Sequence, residues 1–335
     1  MKKPRYYGIG QWDTTQGIPA TNLGRAFSLF GWGSREQLLQ AAVGAKGTMV
    51  PQLWLCGGNE EMPPVYQRFM VEDAEPKLIR RNGCTVGVAY QDEYWDYCLL
   101  TGVLPPDITA SREAQTLAVF EGIEDALSEV GMTFANVART WLYMDNILDW
   151  YDEFNRARDS FFRSRKVYDG LVPASTGIGS ANLCGSAITA VAVAVKPKKP
   201  GITVQALPSP LQCAALQYGS SFSRAVEIGT PAYRTLLVSG TASIEPGGAT
   251  AHVGDVKRQI QLTMDVVEAI LKSRGMDWSN TIRAIMYLKK AAYQEEWLAW
   301  LKANGLEKMP LITLEADVCR DDLLVEIEID AAKVQ

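Results

Sequence analysis

The sequence predicts an α+β protein of two tandem lobes, each a mixed, mostly antiparallel sheet with helices packed on one face. The first observation is an internal repeat. Asn136-Val137-Ala138-Arg139-Thr140-Trp141-Leu142-Tyr143-Met144 aligns with Asn280-Thr281-Ile282-Arg283-Ala284-Ile285-Met286-Tyr287-Leu288, and Gly131-Met132 falls on Gly275-Met276 at the same offset. The second is that apolar strands alternate with amphipathic helices in the same order in both copies. The third is a proline-bearing connector between them, with Pro197, Pro200, Pro208 and Pro210, which suits neither strand ladder nor helix interior.

These signals divide the chain into an N-terminal arm (1–78), a first lobe (79–197) and a second lobe (198–335). The arm does not repeat the unit, and its Gly and Trp-rich text (Trp12, Gly31-Trp32-Gly33, Trp54) reads as an irregular segment that wraps or completes the first lobe. Each copy then opens with an apolar strand ending in glycine, Tyr97-Cys98-Leu99-Leu100-Thr101-Gly102 and Leu236-Leu237-Val238-Ser239-Gly240. A long helix follows, because Leu117, Phe120, Ile123 and Leu127 in one copy, and Ile260, Met264, Val267 and Leu271 in the other, recur at helical spacing. Ser111 and Asp255 are placed to cap their starts, Gly131 and Gly275 to end them. A second strand (137–144, 281–288), a shorter helix (148–162, 292–304) and two closing strands complete each unit, the latter at 174–180 with 187–195 and 311–318 with 323–330. Two such sheets cover their open faces most simply by packing around a shared interior.

Composition narrows the function classes. With 335 residues, 47% apolar and 21% charged, the chain is an ordinary globular protein. A net charge of −5, with no basic run beyond Lys196-Pro197-Lys198-Lys199-Pro200, speaks against a nucleic-acid partner. No apolar run approaches the ~18 residues of a membrane span, and Met1-Lys2-Lys3-Pro4-Arg5-Tyr6 lacks the apolar core of a secretion signal, so a cytoplasmic location is expected. The six cysteines show no metal-ligand spacing, and His252, the single histidine, stands in a Gly-rich loop, so neither a metal nor a cofactor is expected. Gly8-Ile9-Gly10 is too slight for a dinucleotide site.

Chemistry concentrates in Ala316-Asp317-Val318-Cys319-Arg320-Asp321-Asp322-Leu323-Leu324-Val325-Glu326-Ile327-Glu328-Ile329. Strand alternation puts Glu326 and Glu328 on one face and Val325, Ile327 and Ile329 on the other. If that face lines a pocket, desolvation and a like-charged neighbour both raise the pKa of the more buried carboxyl, giving a general acid without histidine. The first copy has Ala187-Ile188-Thr189-Ala190-Val191-Ala192-Val193 in the corresponding place, so one pocket per chain is expected, with the first copy as a wall.

Leu237-Val238-Ser239-Gly240-Thr241-Ala242, the helix with Gln259 and Thr263, the strand ending Met286-Tyr287-Leu288 and the closing Leu324-Val325-Glu326-Ile327-Glu328 resemble the imine (reactive-intermediate) deaminases, a trimeric chorismate-mutase-like fold. The tandem pair with its arm, together with Pro173-Ala174-Ser175-Thr176-Gly177-Ile178-Gly179 and Ala316-Asp317-Val318-Cys319-Arg320, resembles the chorismatase family from about residue 80 to the end. That resemblance implies a cofactor-free enzyme releasing pyruvate from chorismate. It makes Glu326 the acid that protonates the enolpyruvyl methylene, and Gly240 and Cys319 the small pocket residues of the subgroup forming 3-hydroxybenzoate, with some 4-hydroxybenzoate. Cys319 is a candidate catalytic residue beside Glu326, with an inert buried thiol as the rival reading, and Glu328 reads as structural.

The substrate's two carboxylates call for arginine forks with hydroxyls beside them. Arg139, Arg158, Arg163, Tyr143 and Tyr218 are the candidates, joined by Gln212, Thr241 and Thr176. A structural ion pair is the competing account of Arg139, given Arg283 at its repeat-equivalent place. Alternatives are hydrolysis of chorismate to a dihydroxycyclohexadiene carboxylate, an imine deaminase, or a non-catalytic metabolite-binding protein. Imine deamination is disfavoured by Pro310-Leu311-Ile312-Thr313, which lacks the arginine those deaminases carry there. The expected assembly is a monomer or a homotrimer.

Overall fold

The computed structural model describes residues 6–11, 26–44, 50–57, 64–70, 75–81 and 83–335; Met1 to Arg5 and Trp12 lie outside these. The architecture is the expected α+β arrangement, in which the described residues form three sheets of five, seven and six strands. The seven-stranded sheet runs, from one edge, Asp317–Val318, Ala174–Gly179, Val137–Met144, Ile188–Pro197, Trp95–Val103, Cys84–Gln91 and Lys77–Arg81. The six-stranded sheet runs Thr203–Leu207, Ala225–Gly229, Tyr233–Ala242, Val325–Val334, Thr281–Leu288 and Leu311–Glu315. In each, the repeated strand lies parallel to the next in sequence (Val137–Met144 with Ala174–Gly179, Thr281–Leu288 with Leu311–Glu315) and antiparallel to the closing strand.

The repeated strands are buried along nearly their whole length because both faces are covered. One face points into an interior shared by all three sheets, to which Phe30, Trp32, Tyr97, Trp141, Leu237 and Tyr287 contribute. The other face packs under helices: Arg112–Ser128 and Tyr151–Ser164 over the first lobe, Val256–Ser273 and Gln294–Ala303 over the second. The helix boundaries follow the sequence signals. Ser111 Oγ accepts from the Ala114 amide at 3.2 Å, Asp255 Oδ1 from that of Arg258 at 3.1 Å, and Gly131 and Gly275 take φ of 69° and 65°, which favours glycine.

The arm departs from its sequence reading. Its described strands form a regular sheet in the order Tyr6–Gln11, Val65–Met70, Ala26–Gly33, Gln52–Cys56, Ala181–Asn182. Ala26–Gly33 runs parallel to Gln52–Cys56, with helix Arg35–Gly44 between them, and antiparallel to Val65–Met70. Among the described residues, the order of strand, helix, parallel strand and antiparallel closing strand is that of the lobes. Mutation of apolar positions within apolar classes erases sequence likeness while strand pairing survives, so the arm is legible only as topology. The connector also differs: Thr203–Leu207 and Ala225–Gly229 pair as edge strands of the second sheet, and Pro208 and Pro210 fall in the loop between them.

Two short strands stitch the sheets together. Asp317 and Val318 leave the second lobe to pair with Gly179 and Ile178 of the first, and Ala181 and Asn182 leave the first lobe to pair with Cys56 and Leu55 of the arm. The first crossing carries Cys319 into the cleft between the lobes. Among the described residues, no helix is long and apolar enough to cross a membrane.

The first lobe's outer layer is built on Phe120, which is wholly buried and lies 5.2 to 6.0 Å, centroid to centroid, from Phe134, Phe161 and Phe162. Phe120→Ala is expected to cost about 3–5 kcal/mol, measured by denaturant unfolding, because these rings cannot close the resulting void.

Candidate functional site

A cavity of about 800 Å³ opens between the lobes, lined by Tyr151 and Arg158 of the first-lobe helix, Tyr218 and Arg224 of the connector, and Gly240, Cys319 and Glu326 of the second lobe. Glu326 is 5% exposed. Its carboxyl lies directly over the backbone of Gly240: a Cβ added there would stand 1.9 Å from Glu326 Oε1. Only glycine leaves room for the acid. Burial, and then the charge of Glu328, push the Glu326 carboxyl up to about 8, against smaller opposing effects of Arg139 and Arg224. It therefore holds a proton at neutral pH while facing the cavity.

Glu328, two residues on, has the opposite environment although it is wholly buried. Its Oε2 accepts from Arg139 Nη2 at 2.8 Å, and its Oε1 from Trp141 Nε1 at 2.7 Å and Arg283 Nη2 at 2.5 Å. Burial alone would raise its pKa, but Arg283 and Arg139 outweigh burial and hold the carboxyl below its ordinary value. Both guanidinium groups also stack on the Trp141 ring, at 4.8 and 4.9 Å from its centroid. Two neighbouring carboxyls are thus driven apart, one ionised and one protonated.

The cavity's cations are of another kind. Arg158 and Arg224 are 2% and 4% exposed, and among the described residues neither is in an ion pair. Arg158 Nη2 donates to Asn155 Oδ1 at 2.6 Å and Arg224 Nε to the Cys213 carbonyl at 3.0 Å, both neutral acceptors. Among the described residues, Arg158 Nε and Arg224 Nη2 have no hydrogen-bond partner. Buried, unneutralised guanidinium groups facing a cavity favour an anionic ligand. Tyr218 is held between Arg224 and Arg320, at 5.4 and 5.5 Å from its ring centroid, and packs on Gly248, where an added Cβ would stand 3.0 Å from the ring.

Comparison with known proteins adds the family context. The Endoribonuclease L-PSP family matches residues 213–333, the second lobe. A 3-hydroxybenzoate synthase from Streptomyces hygroscopicus is 29% identical over 290 residues, covering 78% of this chain and 80% of that one. A chorismatase from Streptomyces rapamycinicus is 28% identical over 240 residues, 64% of this chain and 69% of that one. A crystal structure of a chorismatase superimposes with a TM-score of 0.75 over 99% of both chains, at 20% identity. This chain has the chorismatase fold. The resemblance expected from the sequence is therefore borne out, and it runs through arm and lobes alike.

Within the chorismatase fold, the residues singled out from the sequence separate into two groups. Glu326, Cys319, Gly240, Tyr218 and Arg158 line the cavity. Arg139, Tyr143, Arg163, Gln212, Thr241 and Thr176 stand outside its lining. Arg139 is consumed by Glu328, Thr176 and the Val238 carbonyl, so the competing reading as a structural ion pair describes it. Tyr143 points into the shared interior, paired in register with Thr189. Arg163 is on the exposed side of its helix, over the Tyr168 ring. Gln212 donates to the carbonyls of Ala242 and Ile244 at 2.9 and 3.1 Å, fastening the connector. Thr241 Oγ1 donates to the Ser239 carbonyl, and Thr176 Oγ1 accepts from the Gly240 amide at 3.0 Å, one layer behind the cavity wall.

Sequence reasoning missed Arg224 and Tyr151. Arg224 immediately precedes Ala225–Gly229, a strand not assigned from the sequence. An arginine beside Ala225-Val226, in so apolar a context, was the available signal. Tyr151 lies on the expected helix, but nothing in its periodicity says that this turn faces the second lobe.

Cys319 does not have the surroundings of a nucleophile. Burial, and then Glu326, push its thiol up to about 12. Iodoacetamide at pH 7.5 is expected to alkylate the exposed Cys84 and leave Cys319 unmodified in the folded protein, as read by peptide mass spectrometry.

Proposed function

We propose that this chain is a chorismatase that converts chorismate to pyruvate and 3-hydroxybenzoate, without metal or organic cofactor. The observation that carries the reading is a protonated, buried Glu326 in one cavity with two buried arginines that have no carboxylate of their own. Chorismate is a dianion with one carbon that readily accepts a proton, the terminal methylene of its enolpyruvyl ether. The two relatives named for 3-hydroxybenzoate synthesis and for chorismatase activity support the same substrate.

Arg158 and Arg224 bind the carboxylates, replacing the neutral acceptors they now use with charged ones. Glu326 gives its proton to the methylene, making it the methyl group of pyruvate and leaving an oxocarbenium ion at the ether carbon. The resulting carboxylate stabilises that cation. The neighbouring ring hydroxyl then displaces the side chain: its oxygen bonds to the ether-bearing ring carbon, the bond from that carbon to the ether oxygen breaks, and its electrons complete the ketone of pyruvate. The hydroxyl proton returns to Glu326. The epoxide opens at the carbon that first carried the hydroxyl, the carbon that keeps the oxygen gives up its hydrogen as a proton while the ring becomes aromatic, and that oxygen gains a proton to give the phenol. No water is consumed, and the products sum to the atoms of chorismate. Gly240 and Cys319 are the small residues beside the acid; their bulk is what a rearranging ring would have to clear.

Incubation with chorismate, with pyruvate followed by lactate dehydrogenase and aromatics by chromatography, tests the proposal; absence of pyruvate would overturn it. Glu326→Gln is expected to lower kcat by about 10²–10⁴-fold with little change in KM, as befits loss of a proton donor. The pH dependence has a definite sign: the acid must be protonated, so kcat is level below its pKa and falls about tenfold per unit above about 8. Arg158→Met and Arg224→Met are expected to raise KM by about 10–100-fold, the scale of one charge-assisted hydrogen bond.

A further inference from the structure

We infer that Arg139, acting through Thr176, is a positioning residue for Glu326: from the lobe that lacks an acid, it pins the backbone bulge that presents bare Gly240 to the acid of the other lobe. The inference rests on Glu326 being the proton donor proposed above. Between Tyr233–Ala242 and Val325–Val334 the register runs Val238 with Ile329 and then Thr241 with Ile327. Ser239 and Gly240 therefore stand opposite the single residue Glu328, which is a β-bulge. The bulge is what turns Gly240 toward Glu326. In an unbulged strand, the register would slip by one and bring the Cβ of Ser239 or Thr241 into the space that the Glu326 carboxyl fills.

The bulge is held from the first lobe on both sides of Ser239, while Ser239 itself also donates its amide to the Arg224 carbonyl at 3.0 Å and its hydroxyl to the Ser223 carbonyl at 2.5 Å. Arg139 Nη1 donates to the carbonyl of Val238, the residue before it, at 2.9 Å. Arg139 Nη2 donates to Thr176 Oγ1 at 2.6 Å, and the same oxygen accepts the Gly240 amide at 3.0 Å. Ser239 Oγ accepts the Ser175 amide at 2.9 Å. The first copy provides an internal control. There Thr101 and Gly102 form the same bulge opposite Val191, and the register puts Ser28 of the arm, five residues before the last parallel pair, where Arg139 and Arg283 stand in theirs. Among the described residues Ser28 Oγ bonds Thr101 Oγ1 alone, at 2.6 Å, and the space beside Gly102 is taken by the Gln52 carbonyl, 3.0 Å from where a Cβ would be. The copy without the arginine pin has no acid and no room for one.

Thr176→Val keeps size and removes the shared acceptor. It leaves in place every charged or titratable group that acts on Glu326 from the surrounding elements: Glu328, Arg139, Arg224, Cys319 and Tyr151. The measurement is the carboxyl ¹³C titration of Glu326 in the full chain, assigned by Glu326→Gln. It needs no substrate, so it is independent of whether chorismate is turned over. The expected result is a midpoint lower by about one unit or more, as water reaches the carboxyl, and a kcat for chorismate lower by about tenfold or more with KM within about threefold. Arg139→Lys, which keeps the charge but cannot span Val238, Thr176 and Glu328 together, is expected to move both in the same direction and serves if Thr176→Val does not fold. A folded variant whose Glu326 midpoint is unchanged, with lowered melting temperature alone, would overturn the inference. Loss of pyruvate release by the wild type would overturn the proposed function instead.

Discussion

A carboxylate that never meets water organises the interior of this protein. Glu328 lies on the closing strand of the second lobe, and its charge is divided between Arg139 of the first lobe and Arg283 of its own. Removing three such charges from solvent costs several kcal/mol each before any pairing is counted, so the arrangement holds only with nearly every donor matched. Trp141 supplies a third donor and a ring on which both guanidinium groups rest, and Arg283 Nε passes on to Gln67 of the arm at 2.6 Å. One network thereby fixes the angle of three sheets about a common centre. It also sets the site: with Glu328 committed to the cations, Glu326 on the same face is left without one and keeps its proton.

The repeat, the strands 137–144 and 281–288, the capped helices and the acid were legible because each is a local pattern: period 2, period 3.6, a cap, a carboxylate between apolar neighbours. What the sequence could not say was which cation meets which carboxylate. Arg139 and Arg158 both looked like substrate clamps. They differ only in what faces them, a glutamate 189 positions away in one case and an open cavity in the other. Long-range pairing of that kind has no local signature. The arm was illegible for a related reason: its sheet is specified by packing against the other two, and Phe30, Trp32 and Phe69 could satisfy that packing in many orders.

Three sheets of related topology produce a single site, and register shows how the symmetry is broken. Glu326 pairs with Tyr287, Thr189 with Tyr143 and Val65 with Trp32, so the three closing strands carry an acid, a hydroxyl and an alkyl group at one equivalent point. Glu328 is matched in the same way by Val191 and Gln67. The copies without acids have become support: Thr189 Oγ1 donates to the Val103 carbonyl, and Gln67 accepts from Arg283.

Under the proposed function, that division of labour explains where cations for the substrate must be. An arginine in contact with Glu326 would hold its carboxyl ionised, as Arg139 and Arg283 do for Glu328, and remove the proton that the proposed reaction requires. Arg158 and Arg224 come instead from a helix and a connector across the cavity, near enough to attract an anion and too far to claim the acid. Arg224 lowers the Glu326 pKa only as the last of four influences, behind burial, Glu328 and Arg139. A dianionic ligand seated on those arginines would bring its own negative charge toward Glu326 and displace water from it, and both effects raise the carboxyl's proton affinity further. Binding and proton retention therefore reinforce one another, which a site with its cations beside the acid could not achieve.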